Sequence, residues 1–237
     1  MTTTSITTQL IAVPRALPGF QNAARCQESL LSGWEKKCLA RLAAAMPPWI
    51  NPDHLTLLGF AAMLLAGVSY AFSASWPPLL LLVNVWLAVN WFGDSLDGTL
   101  ARFRNRQRPR YGFYVDHIVD SFGALFLIGG LALSGRMGAG IAFALLVAFL
   151  LLSINSYLAA YTLGTFQLSF WKMSPTELRI LLALGNTVAW LHPTAAVFGR
   201  QARFFDVAGF VGVVCMALVL IVSVAANTRA LYRLEKL

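Results

Sequence analysis

Six apolar stretches, each near the length that crosses a bilayer as an α-helix, constrain this chain more than any other feature. They lie at about residues 55–73, 78–100, 112–134, 138–162, 176–197 and 206–228. A spanning helix needs about 20 apolar residues, because the bilayer core offers no water to satisfy the backbone. Hydrophobic residues make up 58% of the 237 positions and charged residues only 12%, which excludes an ordinary soluble domain. The predicted fold class is therefore an all-α integral membrane protein, with its six transmembrane helices in one domain over residues 55–237.

The first 54 residues are predicted to form a cytoplasmic N-terminal segment with one amphipathic helix. Between Ser29 and Met46 apolar side chains recur at helical spacing, and Lys36, Lys37 and Arg41 lie between them. Such a helix suits the interface of an anionic membrane, and it suits packing on the protein equally well. A signal peptide is not expected, because the segment lacks a long apolar core followed by a cleavage site.

Positive charges are distributed unevenly between the connections, and the net charge is +8. With six spans and a cytoplasmic N-terminus, only Arg136, Arg200 and Arg203 fall on the outer side. This asymmetry predicts that both termini are cytoplasmic. A nucleic-acid partner is not expected, because the basic residues follow membrane topology. The three cysteines show neither a disulfide framework nor zinc spacing.

Four aspartates lie within the second and third apolar stretches, where an unpaired carboxylate is costly. Asp94 and Asp97 share one helical face, and Asp116 and Asp120 share a face of the next helix. Both pairs lie near the cytoplasmic ends of antiparallel neighbours, joined by a loop over 102–111, so the two faces can meet. Four carboxylates would repel each other unless divalent cations neutralised them, and all-oxygen ligands favour Mg²⁺ or Mn²⁺.

Small residues and an arginine accompany these carboxylates. Gly98 and Ala101 lie on the face of the first pair, Arg102 follows them, and Gly112 lies on the face of the second pair. Small residues can serve close helix packing or leave room for a ligand. Beside four carboxylates and an arginine, a ligand cavity is the better interpretation. A dication site next to arginine is what phosphoryl transfer requires.

The stretch from Asp94 to Asp120 resembles the signature of the CDP-alcohol phosphotransferase family, D-x2-D-G-x2-A-R-x8-G-x3-D-x3-D. Every fixed residue is present, but nine residues separate Arg102 from Gly112 where the family usually has eight. One additional loop residue costs little. The segment 52–59 is similar to the P-N-x-x-T-x-x-G opening of the family's first span, although Asp53 replaces the usual asparagine.

The resemblance implies a metal-dependent transferase of phospholipid biosynthesis, in which 55–237 is the catalytic domain. A substituted phosphate would pass from a CDP-alcohol to an acceptor hydroxyl at the cytoplasmic side, with release of CMP. Two divalent cations, Mg²⁺ or Mn²⁺, would bind Asp94, Asp97, Asp116 and Asp120. Substrate contacts would come from Gly98, Ala101, Arg102 and Gly112. The implied partners are the CDP-alcohol, a lipid or alcohol acceptor, membrane lipids and a second copy of the chain in a homodimer.

The general base stays open between Asp120 and His117. Asp120 is the family's proposed base, but a carboxylate bound to a dication is a weak base at neutral pH. His117 lies one helical turn before Asp120 and titrates near neutrality. A structural histidine with a hydrogen-bonded ring is the other interpretation of His117.

Two short patterns bear on the substrates. The sequence D-H-I-V-D-S at 116–121 resembles the form found in the choline and ethanolamine phosphotransferase branch, and P-T-E at 175–177 resembles an element of the same branch. They favour a CDP-aminoalcohol donor and a diacylglycerol acceptor. In Pro175–Glu177, the acid Glu177 either meets Arg179 or simply favours the start of a helix.

Two alternatives remain. The alternating arginines at 104, 106, 108 and 110 either follow the positive-inside rule or hold a phosphorylated acceptor. The second role would indicate a CDP-diacylglycerol-dependent phosphatidyltransferase acting on a small, phosphorylated alcohol. An alternative of another class is a membrane transporter that uses the aspartates as an ion path. It is disfavoured because the acids gather near one membrane face.

Several polar side chains lie within the apolar stretches. Asn90 lies one turn before Asp94 and is expected to orient it. The others are expected to form hydrogen bonds between helices. They are Asn84, Asn155, Ser156, Tyr157 and Asn186.

Overall fold

The computed structural model describes residues 24–26, 31–167, 174–197 and 199–236. The helices are α1 Ser32–Ala45, α2 Pro52–Phe72, α3 Leu79–Phe103, α4 Pro109–Leu133, α5 Ala139–Thr162, α6 Pro175–Leu191 and α7 Phe204–Leu234. Five of them, α2, α3, α4, α5 and α7, are long and apolar enough to cross a membrane. The predicted helical integral membrane protein is therefore confirmed. Of the predicted amphipathic helix, Ser29 and Leu30 lie outside the described residues, as does Lys172 among the cations assigned to the cytoplasmic side.

Two helices next to the site begin on prolines. Helix α2 begins at Pro52, three residues before the approximate start of the first apolar stretch, and the domain division between 54 and 55 stays a prediction. Proline suits this position because the first turn needs no amide donor. The connection between α3 and α4 covers only 104–108 instead of 102–111, since α4 also starts on a proline, Pro109.

The helix of the fifth apolar stretch is shorter than predicted, and four short strands were not predicted. Helix α6 has 17 residues and ends at Leu191, before Pro193, whereas the apolar stretch continues to 197. The residues that follow form an antiparallel hairpin of β3 Thr194–Val197 and β4 Arg200–Arg203. Gly199 in its turn has a φ of 78°, which glycine adopts without strain. Strands β1 Ala24–Cys26 and β2 Thr165–Gln167 pair in parallel.

Helix α2 is the support on which the two aspartate helices rest. Both α3 and α4 pack along α2, but over the described residues they are not packed extensively against each other. Glycines allow the close approach: a Cβ on Gly93 would lie 2.5 Å from the carbonyl oxygen of Leu55. A Cβ on Gly130 would lie 2.0 Å from the carbonyl oxygen of Gly67. The separation of α3 from α4 is therefore set by the two sides of α2.

Helix α6 runs antiparallel along α3 and is joined to it by polar side chains. Asn84 Nδ2 donates to the Ala183 carbonyl oxygen at 3.1 Å, and Asn186 Nδ2 donates to Asn84 Oδ1 at 2.8 Å. The Tyr70 hydroxyl donates to Asn186 Oδ1 at 2.6 Å, which adds α2 to the network. The expected interhelical hydrogen bonds are thus confirmed for Asn84 and Asn186.

Two of the three predicted interhelical side chains of α5, Asn155 and Ser156, differ in their hydrogen-bond partners. Asn155 Nδ2 donates to the hydroxyl of Ser223 on α7 at 2.8 Å, as predicted. The prediction for Ser156 was wrong, because its hydroxyl donates to the Leu152 carbonyl oxygen of its own helix.

Candidate active site

All nine residues predicted to form the site line one cavity of about 650 Å³, a size typical of ligand sites. They are Asp94, Asp97, Gly98, Ala101, Arg102, Gly112, Asp116, His117 and Asp120. The cavity lies between α3 and α4, beside the first turns of α2, and α1 and α6 supply further walls. The expectation that the two acidic faces meet is therefore correct, although the helices meet across a cavity instead of in contact.

The two carboxylates of α3 accept hydrogen bonds from α6, from α2 and from α3 itself. Asp94 Oδ2 accepts from Arg179 Nη2 of α6 at 2.5 Å. Asp97 Oδ2 accepts from the Thr56 hydroxyl of α2 at 2.6 Å, and Asp97 Oδ1 accepts from the Gly98 amide. Three helices therefore orient this pair of oxygen ligands.

The α4 side contributes a compact group of possible metal ligands. One ligand atom from each of Asp116, His117 and Asp120 lies within 4.8 Å of the others. The Asp120 carboxyl also lies within electrostatic reach of Asp94 and Asp97 across the cavity. Because the donor set is rich in carboxylate oxygen, it fits a hard divalent cation such as Mg²⁺ or Mn²⁺.

The two glycines predicted to contact the substrate, Gly98 and Gly112, lie next to open space. A Cβ on Gly112 would have no neighbouring atom within 4 Å, and one on Gly98 would meet only the flexible end of Arg102, at 3.4 Å. Their surroundings differ sharply from those of Gly93 and Gly130, which touch backbone. Gly98 and Gly112 therefore leave room in the cavity, which supports the ligand interpretation over helix packing.

His117 is held in an aromatic setting. Its ring stacks on Tyr157 of α5, with 4.6 Å between centroids and 26° between planes. Phe113 contacts it edge to face at 4.3 Å, and His117 Nδ1 lies 3.8 Å from Asp116 Oδ2. Only 9% of His117 is exposed, whereas Asp120 is exposed at the cavity. Tyr157 also has a side-chain hydrogen bond with Ser121 of α4, so its predicted interhelical hydrogen bond is confirmed and the stacking contact adds to it.

Among the cavity-lining residues that were not predicted as site members, Thr56, Arg179 and Glu35 make specific polar contacts. Glu35 of α1 accepts from Trp91 Nε1 at 2.9 Å and from the Thr176 hydroxyl at 2.6 Å, and it lines the cavity. The segment 52–59 that resembles the family's opening contains Thr56, so this signal was available. No spacing rule connects Glu35 or Arg179 to the aspartates, which lie far away in the chain.

Asn90 and Glu177 have clear structural roles. Asn90 Oδ1 accepts from Arg179 Nε at 2.8 Å, so it orients Asp94 through the arginine instead of directly. Glu177 completes a capping box with Ser174 at the start of α6 and accepts from the Leu31 amide at 3.1 Å. The helix-start interpretation of Glu177 is therefore correct, and Arg179 pairs with Asp94 instead.

The arginines in and around the connection between α3 and α4 have two kinds of environment: some bind other parts of the protein, and some line the cavity. The Arg104 guanidinium donates to the carbonyl oxygens of Met46, Pro47 and Ile50 and so ties the α1–α2 turn to α3. Arg108 pairs with Asp53 and lies 4.1 Å from the centre of the Tyr111 ring. Exposed cations also line the cavity: Lys36, Arg102, Arg106 and Arg108. The site thus combines partly buried carboxylates with an exposed basic rim, which suits a ligand that carries phosphates.

Together, these features define a helical membrane protein with an oxygen-rich, metal-compatible cavity for a phosphorylated ligand. The family model described as CDP-alcohol phosphatidyltransferase matches residues 49–225, and the chain belongs to that family.

Individual relatives are more distant. Over 204 residues the chain is 27% identical to cholinephosphotransferase 1 of Gallus gallus, covering 79% of the chain and 58% of that protein. It is 27% identical over 182 residues to the protein of the same name from Homo sapiens, covering 70% and 44%. It is 30% identical over 113 residues to archaetidylinositol phosphate synthase of Pyrococcus horikoshii, covering 48% and 53%. The chain thus spans about half the length of the curated relatives it matches.

Proposed function

We propose that this chain transfers a substituted phosphate from a CDP-alcohol to an acceptor hydroxyl in phospholipid biosynthesis, with release of CMP. The observation that carries the proposal is the convergence of the eight signature residues and His117 on one cavity. Family membership adds independent support. An ion path is not supported, because the four carboxylates of α3 and α4 face this one cavity.

The four aspartates would hold two divalent cations, Mg²⁺ or Mn²⁺. When bound, such cations neutralise charge on phosphate oxygens and on the leaving group. The oxygen-rich donor set and the otherwise unfavourable gathering of carboxylates support this assignment.

The remaining residues would bind and orient the substrates. Gly98, Ala101 and Gly112 leave space for the cytidine and its phosphates, and Arg102 donates hydrogen bonds to phosphate oxygens. The acceptor oxygen forms a bond to the β-phosphorus while the bond from that phosphorus to the CMP oxygen breaks. The acceptor proton passes to Asp120, which is exposed at the cavity, whereas the buried His117 holds the position of the α4 face.

For the substrates, we propose a CDP-aminoalcohol donor and a diacylglycerol acceptor. The support is the D-H-x-x-D-S pattern together with the two cholinephosphotransferase relatives. The second candidate is a CDP-diacylglycerol donor with a small phosphorylated alcohol as acceptor. The basic rim of the cavity and the likeness to an archaetidylinositol phosphate synthase favour that alternative.

We further propose that α6 also crosses the membrane, as the fifth span in chain order, which brings the number of spans to six, and that the cavity faces the cytoplasm. A helix of 17 residues extends about 25 Å, near the lower limit for crossing a bilayer. Its antiparallel course along α3 supports a crossing. The basic rim supports a cytoplasmic cavity. A homodimer remains part of the proposal on the strength of the family resemblance.

The test is CMP release by the purified chain in lipid nanodiscs with Mg²⁺ or Mn²⁺. CDP-choline, CDP-ethanolamine and CDP-diacylglycerol are each offered with diacylglycerol or with phosphorylated alcohols. Asp97→Asn should abolish release, and a chelator should do the same. Asp206→Asn is the matched control, because Asp206 pairs with Arg203 away from the cavity, and it should remain active. CMP release that persists in Asp97→Asn or in the chelator rejects the mechanism. Activity with CDP-diacylglycerol alone rejects the proposed donor.

A further inference from the structure

Arg179 is held between two residues of α3, in the middle of the carboxylate cluster. Its Nη2 donates to Asp94 Oδ2 at 2.5 Å, and its Nε donates to Asn90 Oδ1 at 2.8 Å. Asn90 is held in turn, since its Nδ2 donates to the Gly59 carbonyl oxygen of α2 at 3.1 Å. The side chains of Arg179 and Asp94 are only 15% and 24% exposed. The guanidinium is therefore a fixed part of the site, unlike the exposed arginines of the rim.

The charge of Arg179 acts on more than its direct partner. Asp120 of α4 lies within its electrostatic reach, as it does within that of Asp94 and Asp97. A positive charge among several carboxylates lowers their mutual repulsion, and the effect is large where water is partly excluded. A divalent cation bound to the same carboxylates would do the same.

We infer that Arg179 is a built-in cation of this cluster, which neutralises Asp94 and competes with divalent cations for its carboxylate. The inference rests on the metal site of the proposed function. Arg179 is a positioning residue, because its bonds are to Asp94 and Asn90. Two consequences follow: the chain stays folded without metal, and its affinity for metal is lower than four free carboxylates would provide. Because linkage is reciprocal, removal of the arginine strengthens metal binding.

The experiment measures Mn²⁺ binding to the full chain in nanodiscs, from the electron paramagnetic resonance signal of free Mn²⁺. Arg179→Gln should bind Mn²⁺ about 10-fold more tightly than the native chain, because a close unit charge is removed. Its melting temperature in chelator should fall, and saturating Mn²⁺ should raise it by more than in the native chain. Unchanged or weaker Mn²⁺ binding in Arg179→Gln overturns the inference.

Arg106→Gln is the matched control. Arg106 lines the same cavity, but it is exposed and has no ion pair within the described part of the chain. Removal of this solvent-screened charge should change Mn²⁺ affinity by less than about 3-fold. An equal gain in both variants overturns the specific role of Arg179.

Arg179→Lys decides the question if the glutamine variant does not fold. Lysine keeps the charge and loses the second donor, so Mn²⁺ affinity should remain within about 3-fold of the native value. A change of about 10-fold in either direction overturns the inference.

A native chain that binds no Mn²⁺ removes the metal site, and the proposed function falls with it. A native chain that binds Mn²⁺ but ignores Arg179→Gln rejects only the role of the arginine.

Discussion

At the scale of single residues, Thr56 shows how α2 contributes to the site although none of the four candidate metal-binding aspartates lies on it. Its hydroxyl donates to Asp97 Oδ2 at 2.6 Å. Thr56→Val keeps the shape and removes the donor, so Asp97 should lose its orientation and CMP release should fall by about 10- to 100-fold. Thr56→Ser keeps the hydroxyl and should stay near native activity. The check is the rate of CMP release at saturating substrate, and equal rates in the two variants would reject the role.

The contrast between two glycines gives a second prediction. Gly112→Ala adds a methyl group where no atom lies within 4 Å, so the fold should keep its melting temperature while the KM for the CDP-alcohol rises. Gly130→Ala forces a methyl group against the Gly67 carbonyl and should cost about 1–3 kcal/mol of stability. Thermal unfolding and steady-state kinetics on both variants separate the effects. A large loss of stability in Gly112→Ala would show that its space is needed for packing.

Residue spacing predicted the nine site residues because each aspartate pair lies on one continuous helix, where separation along the chain determines the shared face. Arg179 and Glu35 could not be found this way. They reach the site from α6 and α1, and their positions depend on how those helices pack. Residue spacing along the chain could not predict the stacking of Tyr157 against His117 either, because this contact depends on the rotation of α5 about its axis.

At the scale of helices, α1 is attached to the bundle by one acid as well as by apolar packing. Three donors converge on Glu35 Oε1: Trp91, Thr176 and, at 3.4 Å, the Ser95 hydroxyl. Glu35→Ala leaves these donors without their acceptor, so α1 should open more often. Amide hydrogen exchange in 32–45 should become faster, while exchange in α7 should not change. Glu235→Ala, at the exposed end of α7, is the control.

An unchanged exchange rate in Glu35→Ala would assign the docking of α1 to its apolar side instead. That side packs Leu39 and Ala43 against Leu55, Leu96 and Leu100.

Most helix ends could be predicted to within about three residues, because apolar length and proline placement are local signals, but α6 ends at Leu191 instead of 197 and α7 at Leu234 instead of 228. The β-strands at 194–197 and 200–203 could not, since the apolar run of α6 continues past the proline that ends it. The divergence of α3 from α4 was equally hidden. It arises from glycine contacts of both helices with α2, which no single segment reveals.

At the scale of the whole molecule, the polar contacts that arginines make with the connecting segments lie at two opposite ends of the helices. Arg136 Nε donates to the Ser73 hydroxyl at 2.9 Å, and Arg203 donates to the Gly135 carbonyl oxygen, so the loops predicted to lie outside meet each other. Arg104 and Arg108 contact the segment 46–53 at the opposite end. This arrangement is consistent with the positive-inside orientation.

Cysteine accessibility tests that orientation. In a chain with Cys26, Cys38 and Cys215 replaced by serine, Ser75→Cys should react with an impermeant maleimide in right-side-out vesicles. Gln107→Cys should react only in inside-out vesicles or after permeabilisation. Both positions are exposed, so reactivity reports the side of the membrane. The reverse pattern would place the cavity on the outer side.

The dependence of α3 and α4 on α2, instead of on each other, means that the width of the active cavity can be altered from a distance. Gly67 lies 11 positions beyond Thr56 on α2, about 16 Å along the axis. A bulkier residue in place of Gly67 would tilt α4 away from α2. The tilt would increase the distance between the candidate metal-binding side chains of α4 and those of α3. Substitutions in the contact between α2 and α4 would therefore change which headgroups enter the cavity, although every residue that contacts them stays the same.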